Sequence, residues 1–107
     1  MARRVMRVEW SIFAQADRDA IFDYIVADSP QAAITVDDRI LAQVETLARF
    51  PESGRLGRVE ETRELVIHRT PYIVAYRIQI QDDTVRILRV LHGAQRWPED
   101  MSEEPRE

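Results

Sequence analysis

Apolar residues recur along this 107-residue chain with two different periods, and the change of period divides it into a helical part and a strand part. From Ser11, a fitting N-cap, to about Asp28, the residues Phe13, Ala14, Ala20, Ile21, Tyr24 and Ile25 share one broad helical face, and Asp17, Asp19 and Asp23 fall largely outside it. Asp28-Ser29-Pro30 closes this helix and opens another, because serine can cap and proline suits a first helical turn. The second helix is predicted to reach about Arg49. Ala33, Val36, Ile40, Val44 and Leu47 recur there at three- and four-residue steps, Ile34, Leu41 and Ala48 widen the stripe, and Asp37, Asp38 and Glu45 lie off it. Residues 50–58, with one proline and two glycines, read as a linker.

Beyond the linker the period falls to two. Residues 64–68, 72–80 and 85–91 are apolar and rich in β-branched side chains, and Arg69-Thr70-Pro71 and Gln81-Asp82-Asp83-Thr84 between them are turn compositions. The pattern predicts a three-stranded antiparallel meander. Alternation puts Tyr72, Val74, Tyr76, Ile78 and Ile80 on a buried face and Ile73, Ala75, Arg77 and Gln79 on a half-wet one; in the last run arginines fall on both faces. Residues 4–10 alternate well enough to add a fourth, N-terminal strand. The expected fold is α+β in the order β-α-α-β-β-β, with the helical hairpin laid on one face of the sheet, since neither stripe can be buried efficiently within the hairpin alone. Ile21, Ile25, Val36, Ile40, Val44, Leu47, Val74, Ile78, Ile87 and Leu88 are the expected core. Residues 1–98 read as a single domain and residues 99–107 as an acidic, disordered tail.

Composition narrows the chemistry. Without cysteine there is no disulfide, thiolate metal site or cysteine nucleophile, and two histidines without ligand spacing give no metal site; no cofactor is expected. All 15 basic residues are arginine, which removes lysine acid–base and Schiff-base chemistry. No apolar run has membrane-spanning length and no signal-peptide core follows Met1, so a cytoplasmic location without membrane contact is expected. The net charge of −4 argues against a protein that coats nucleic acid, but residues 53–96 hold 8 arginines against 5 carboxylates, whereas residues 97–107 hold 1 against 5. The sheet region is the basic part.

The succession "FPESGR", "TREL", "PYIVAYRI", "ILRVLH" and "WP" after two amphipathic helices resembles the RelE/ParE superfamily of toxins from bacterial type II toxin–antitoxin modules, from about Val8 to Pro98. A leucine is common in the family where Arg18 stands. The resemblance implies a growth inhibitor neutralised by a cognate antitoxin encoded beside it, with DNA contacted only indirectly through that antitoxin. Two targets are open: DNA gyrase, as for ParE-like members, or ribosome-bound mRNA, as for RelE-like endonucleases. A homologue that only binds antitoxin, without toxicity, is a third reading.

A metal-free RNA-cleaving site needs a base for the 2′-hydroxyl, a cation for the phosphorane and a proton donor for the leaving oxygen. Arg63, Tyr76, Arg89 and His92 are the candidates if the protein is a nuclease, with Glu60 or Glu61 as an added carboxylate. The plain alternatives are a core tyrosine, a structural histidine at a strand end and an exposed Arg63–Glu64 ion pair. Arg55, Arg58, Arg77, Arg86, Arg96 and Trp97 are the candidates for binding a target or antitoxin. RelE-like nucleases use basic clusters that include lysine, which this chain lacks; together with its acidic balance, this places it nearer the ParE-like members.

Overall fold

The computed structural model describes residues 5–99 and residue 101. Strand β1 (Arg7–Trp10) leads into helix α1 (Ile12–Val26) and helix α2 (Pro30–Glu45), which continues as a 3-10 turn, Thr46–Ala48. Strands β2 (Arg55–Leu56), β3 (Arg63–Val66), β4 (Tyr72–Gln79) and β5 (Thr84–His92) complete the order. Ser11 caps α1 by accepting the Ala14 N–H, and Ser29 caps α2 by accepting that of Ala32, with Pro30 in the first turn as predicted.

The sheet runs β1-β5-β4-β3-β2. The meander β3-β4-β5 is antiparallel, and the N-terminal strand joins it parallel to β5, making the sheet mixed. Part of the predicted linker is a strand: Arg55 and Leu56 pair with Glu64 and Arg63. Ile80 departs from the expected alternation. It opens a 3-10 turn that ends at Asp83 with φ of 49°, and its side chain is exposed.

The helices cover one face. Ala14, Ile40, Val44 and Leu47 pack with Val74, Tyr76, Val85, Ile87 and Val90, and Ile21, Ile25, Val36 and Ile78 close the edges. Of the apolar residues assigned to the α1 stripe, Tyr24 instead faces out at 79% exposure and Ala20 is exposed with it, and Ile34 of α2 is also exposed. Between the helices Arg18 pairs with Asp37 at 3.1 Å and lies 4.9 Å from the centre of the Trp10 ring. Arginine at this position thus replaces apolar burial with an interhelical ion pair.

A β-bulge reorganises the last strand. Tyr76 pairs with Ile87 and Ala75 with Arg89, leaving Leu88 as the extra residue on β5. Val85 and Ile87 face the helices before the bulge and Val90 does so after it, while Leu88 and Leu91 join a second cluster. That cluster, Ala75, Leu88, Leu91 and Met101 with Val59 and Trp97 against it, covers much of the face expected to be half-wet. Of residues 99–107 only Glu99 and Met101 are described, and Met101 is 4% exposed; the reading of the other tail residues as disordered lies outside the described residues. Among the described residues no helix is long and apolar enough to cross a membrane.

Candidate functional site

The predicted site residues separate into four places. Arg63 and Tyr76 are register partners on β3 and β4. The Tyr76 hydroxyl donates to the Pro51 carbonyl at 2.6 Å and accepts the Gly54 N–H at 2.9 Å, tying the 50–54 turn to the sheet. Burial pushes its pKa up. Arg63 donates to the carbonyl oxygens of Gly54, at 2.7 Å, and Glu52. It does not pair with Glu64, because neighbours in a strand point to opposite faces. Beside this corner lies an open groove of about 920 Å³, lined by Met6, Phe50, Pro51, Ile78, Ile80 and Arg63 among others.

Glu64 is 3% exposed and gathers two of the predicted binding arginines on the other face. Its Oε1 accepts from Arg55 Nε and Nη2, and its Oε2 accepts from the Arg58 backbone N–H at 2.8 Å and from Arg58 Nε. Burial alone would raise the Glu64 pKa; the Arg58 backbone N–H and the two guanidinium groups outweigh it and hold the carboxyl below its usual range. The Arg58 guanidinium stacks 3.6 Å from the centre of the Trp97 ring, whose indole N–H donates to the His92 carbonyl. Arg96 is exposed in the adjoining turn.

Arg89 and His92 are engaged structurally. Both oxygens of Asp17 accept from Arg89, at 2.8 and 2.9 Å, and Asp17 also accepts the Val90 N–H, so α1 is pinned to β5. The hydrogen bond with Asp17 raises the Arg89 pKa against the opposing effect of burial. His92 Nδ1 accepts the Ala94 N–H at 3.0 Å, its backbone N–H donates to Gln95 Oε1, and its ring meets Tyr72 edge-on. His92 pairs with Tyr72, whereas Arg63 pairs with Tyr76, four residues along β4. At about 3.3 Å per residue the two positions are roughly 13 Å apart along the sheet. The structure does not bring Arg63, Arg89 and His92 around one point, and Glu60 and Glu61 lie exposed in the turn before β3.

The fourth place is the open face of the sheet. Arg77 and Arg86 stand opposite each other in the β4–β5 register. Arg86 donates to Glu9 at 3.3 Å, while the buried Nε of Arg77 has no hydrogen-bond partner among the described residues. Among the described residues no three or more His, Asp or Glu side chains are placed to hold a metal ion.

The model of the family described as "ParE toxin of type II toxin-antitoxin system, parDE" matches residues 8–97. The chain belongs to the ParE toxin family. Similar proteins carry both superfamily names. The protein of Sinorhizobium fredii named "Putative toxin Y4kP" is 45% identical over 87% of this chain and 94% of its own length. Toxin RelE2 of Caulobacter vibrioides is 40% identical over 82% of this chain and 96% of its own. The structure titled "Chromosomal ParDE TA system from P. aeruginosa" superposes with a TM-score of 0.74 at 30% identity, covering 83% of this chain and 97% of that one.

Two organising residues of this ParE-family toxin were missed in its sequence, and both had a signal. Asp17 is four residues from Phe13 and four from Ile21, inside the apolar stripe rather than beside it. Glu64 is next to Arg63 in a strand, which already directs the two side chains apart. Glu64 also sets a pH dependence. Its depressed pKa gives stability that is present above its usual value of 4.5 and lost as pH falls through the lower folded-state value. In urea unfolding, wild type should exceed Glu64→Gln by more at pH 7 than at pH 3; an unchanged gap would mean that the carboxylate charge contributes nothing.

Proposed function

We propose that this ParE-family toxin arrests growth by binding and poisoning DNA gyrase in the cytoplasm, rather than by cutting mRNA on the ribosome, and that an antitoxin encoded beside it neutralises it. One observation carries the reading on the target. The groups a metal-free ribonuclease would need are dispersed and already bonded: Arg89 to Asp17, Tyr76 to the 50–54 turn, and His92 within its own turn about 13 Å along the sheet from Arg63. A binding mechanism needs no such convergence. It needs an accessible surface, which the groove beside Arg63 and the exposed Arg55, Arg58 and Arg96 supply. The antitoxin reading is supported by family membership and by the similar P. aeruginosa protein, whose structure is titled as a ParDE toxin–antitoxin system.

The test compares purified protein in a gyrase supercoiling assay and in ribosome-dependent mRNA cleavage. Gyrase inhibition is expected, with His92→Ala retaining it within about threefold, the scale of a substitution outside the binding surface. Site-specific mRNA cleavage lost about 10²-fold or more in a normally folded His92→Ala would overturn the proposal and establish proton transfer by His92. Induction of the gene alone should arrest growth, and induction with its neighbour should not. Growth unaffected by the gene alone would make the protein an antitoxin binder without toxicity.

A further inference from the structure

The β2 edge of the sheet brings together three features that the fold itself does not use. β2 is the end strand, and among the described residues no strand pairs with its outer side. The Gly57 N–H donates to the Thr62 carbonyl at 2.8 Å, two positions along from the Arg55–Glu64 register pair, so Arg55 and Gly57 turn their backbone groups towards β3. Leu56, between them, therefore directs its N–H and C=O outward. Its side chain is 79% exposed and shares a face with Arg63, its register partner; the two line a cleft of about 330 Å³ together with Ile78, Thr62 and Glu61. Arg55 shares the opposite face with Glu64. There the buried Glu64 carboxylate bonds the guanidinium groups of Arg55 and Arg58, whose side chains stay 55% and 46% exposed, and Arg58 also stacks on Trp97. One carboxylate thus holds two cations in place and neutralises only one of them.

We infer that the β2 edge takes an extended peptide segment of a partner protein, added as a further strand beside Leu56, in which an apolar residue is flanked on both sides by carboxylates. The partner residue opposite Leu56 exchanges two backbone hydrogen bonds with it and shares its face, so an apolar side chain there covers Leu56 and Ile78. Its two neighbours, by the strand period of two, point to the other face, where Arg55 and Arg58 stand. Carboxylates suit that face, because the guanidinium forks are already held and lose little freedom on binding. They do not suit the cleft, where Glu61 presents a like charge. The exposed Glu60 and Glu61 also disfavour a continuous polyanion such as nucleic acid along this edge. The inference does not depend on which target the toxin has.

The probe is the peptide acetyl-Thr-Glu-Val-Glu-Thr-amide, titrated into the full-length protein at low salt and followed by backbone amide shifts. Saturable shifts are expected at residues 54–58 and 62–64. Methylating the nitrogen of the central valine removes the N–H offered to the Leu56 carbonyl and should weaken binding about 10-fold; Leu56→Pro, which removes an N–H that faces outward and not towards β3, should do the same. Lysine in place of both glutamates of the peptide, or Arg55→Gln with Arg58→Gln in the protein, should weaken binding by about 10-fold or more. The altered peptides meet the wild-type chain, so the result does not hang on the folding of a variant. Absent binding, shifts confined to other residues, or equal binding of the N-methylated or the lysine peptide would overturn the inference. So would tighter binding of an oligothymidylate at the same residues, or shifts there that depend on protein concentration without peptide, as a second copy seated on the edge would give. Gyrase takes no part in this titration, so its outcome is read separately from that of the proposed target.

Discussion

Asp17→Ala should destabilise the protein by on the order of 3 kcal/mol, more than most substitutions of a polar residue. Asp17 and Arg89 are each largely withdrawn from water, at 15% and 26% side-chain exposure, and the carboxylate accepts three hydrogen bonds, two from Arg89 and one from the Val90 N–H. Removing it leaves a partly buried guanidinium and a backbone donor unpaired just past the β5 bulge. Asp17→Asn, which can keep an acceptor there, should cost less than alanine. Urea unfolding of both variants followed by circular dichroism measures the difference. Equal stability of Asp17→Ala and wild type would show that α1 is held to β5 by apolar packing alone. Arg89→Ala offers a further check. It removes the charge together with its need for a partner, so the double variant should be less destabilised than the two single losses added.

Gly54→Ala is expected to cost about 3 kcal/mol, more than Tyr76→Phe at about 1 to 2 kcal/mol. A Cβ on Gly54 would stand 2.6 Å from the Tyr76 hydroxyl oxygen, 2.7 Å from a carbon of its ring and 2.9 Å from the Glu64 carbonyl oxygen. The ring is fully buried and the carbonyl belongs to β3, so neither yields easily. Tyr76→Phe keeps the ring and loses two hydrogen bonds, leaving the Gly54 N–H and the Pro51 carbonyl to find water. The combination Gly54→Ala with Tyr76→Phe removes one of the three close contacts and should recover part of the loss. If Gly54→Ala unfolds at the wild-type urea concentration, the turn is not locked as described. The same turn borders the groove beside Arg63, so Gly54→Ala should also weaken any partner that uses this groove.

Much of the fold was legible because it obeys local rules. Ser11, Ser29 and Pro30 mark the helix starts, three- and four-residue spacing gives the helical hairpin, and two-residue spacing with turn compositions gives the meander. Three features were not legible, each for a physical reason. Alternation identifies β1 as a strand without saying which neighbour it meets or in which direction. Arg55 and Leu56 are too few to show a period. The bulge at Leu88 shifts the phase of β5, so a single alternation assigned to residues 85–91 places its second half on the wrong faces. The candidate site was less legible. Residue type pointed to Arg63, Tyr76, Arg89 and His92, but their partners are Gly54, Pro51, Asp17 and Ala94, and only the folded chain discloses those pairings.

The interior position of β5 also has a kinetic consequence. Its residues sit between β1 and β4, and the β1–β5 contact joins Arg7 to Thr84, 77 residues later. Contacts of such separation form late, because the entropy of closing the intervening chain is lost before the pairing is gained. At about 5 to 20 residues per second of synthesis, the helical hairpin emerges seconds before the strand that unites it with the sheet. Until then Ser11 lacks the Leu88 carbonyl to which its hydroxyl donates, Asp17 lacks Arg89, and the apolar faces of α1 and α2 have no layer to cover. A nascent chain halted before Thr84 is therefore an unassembled polypeptide exposed to proteases.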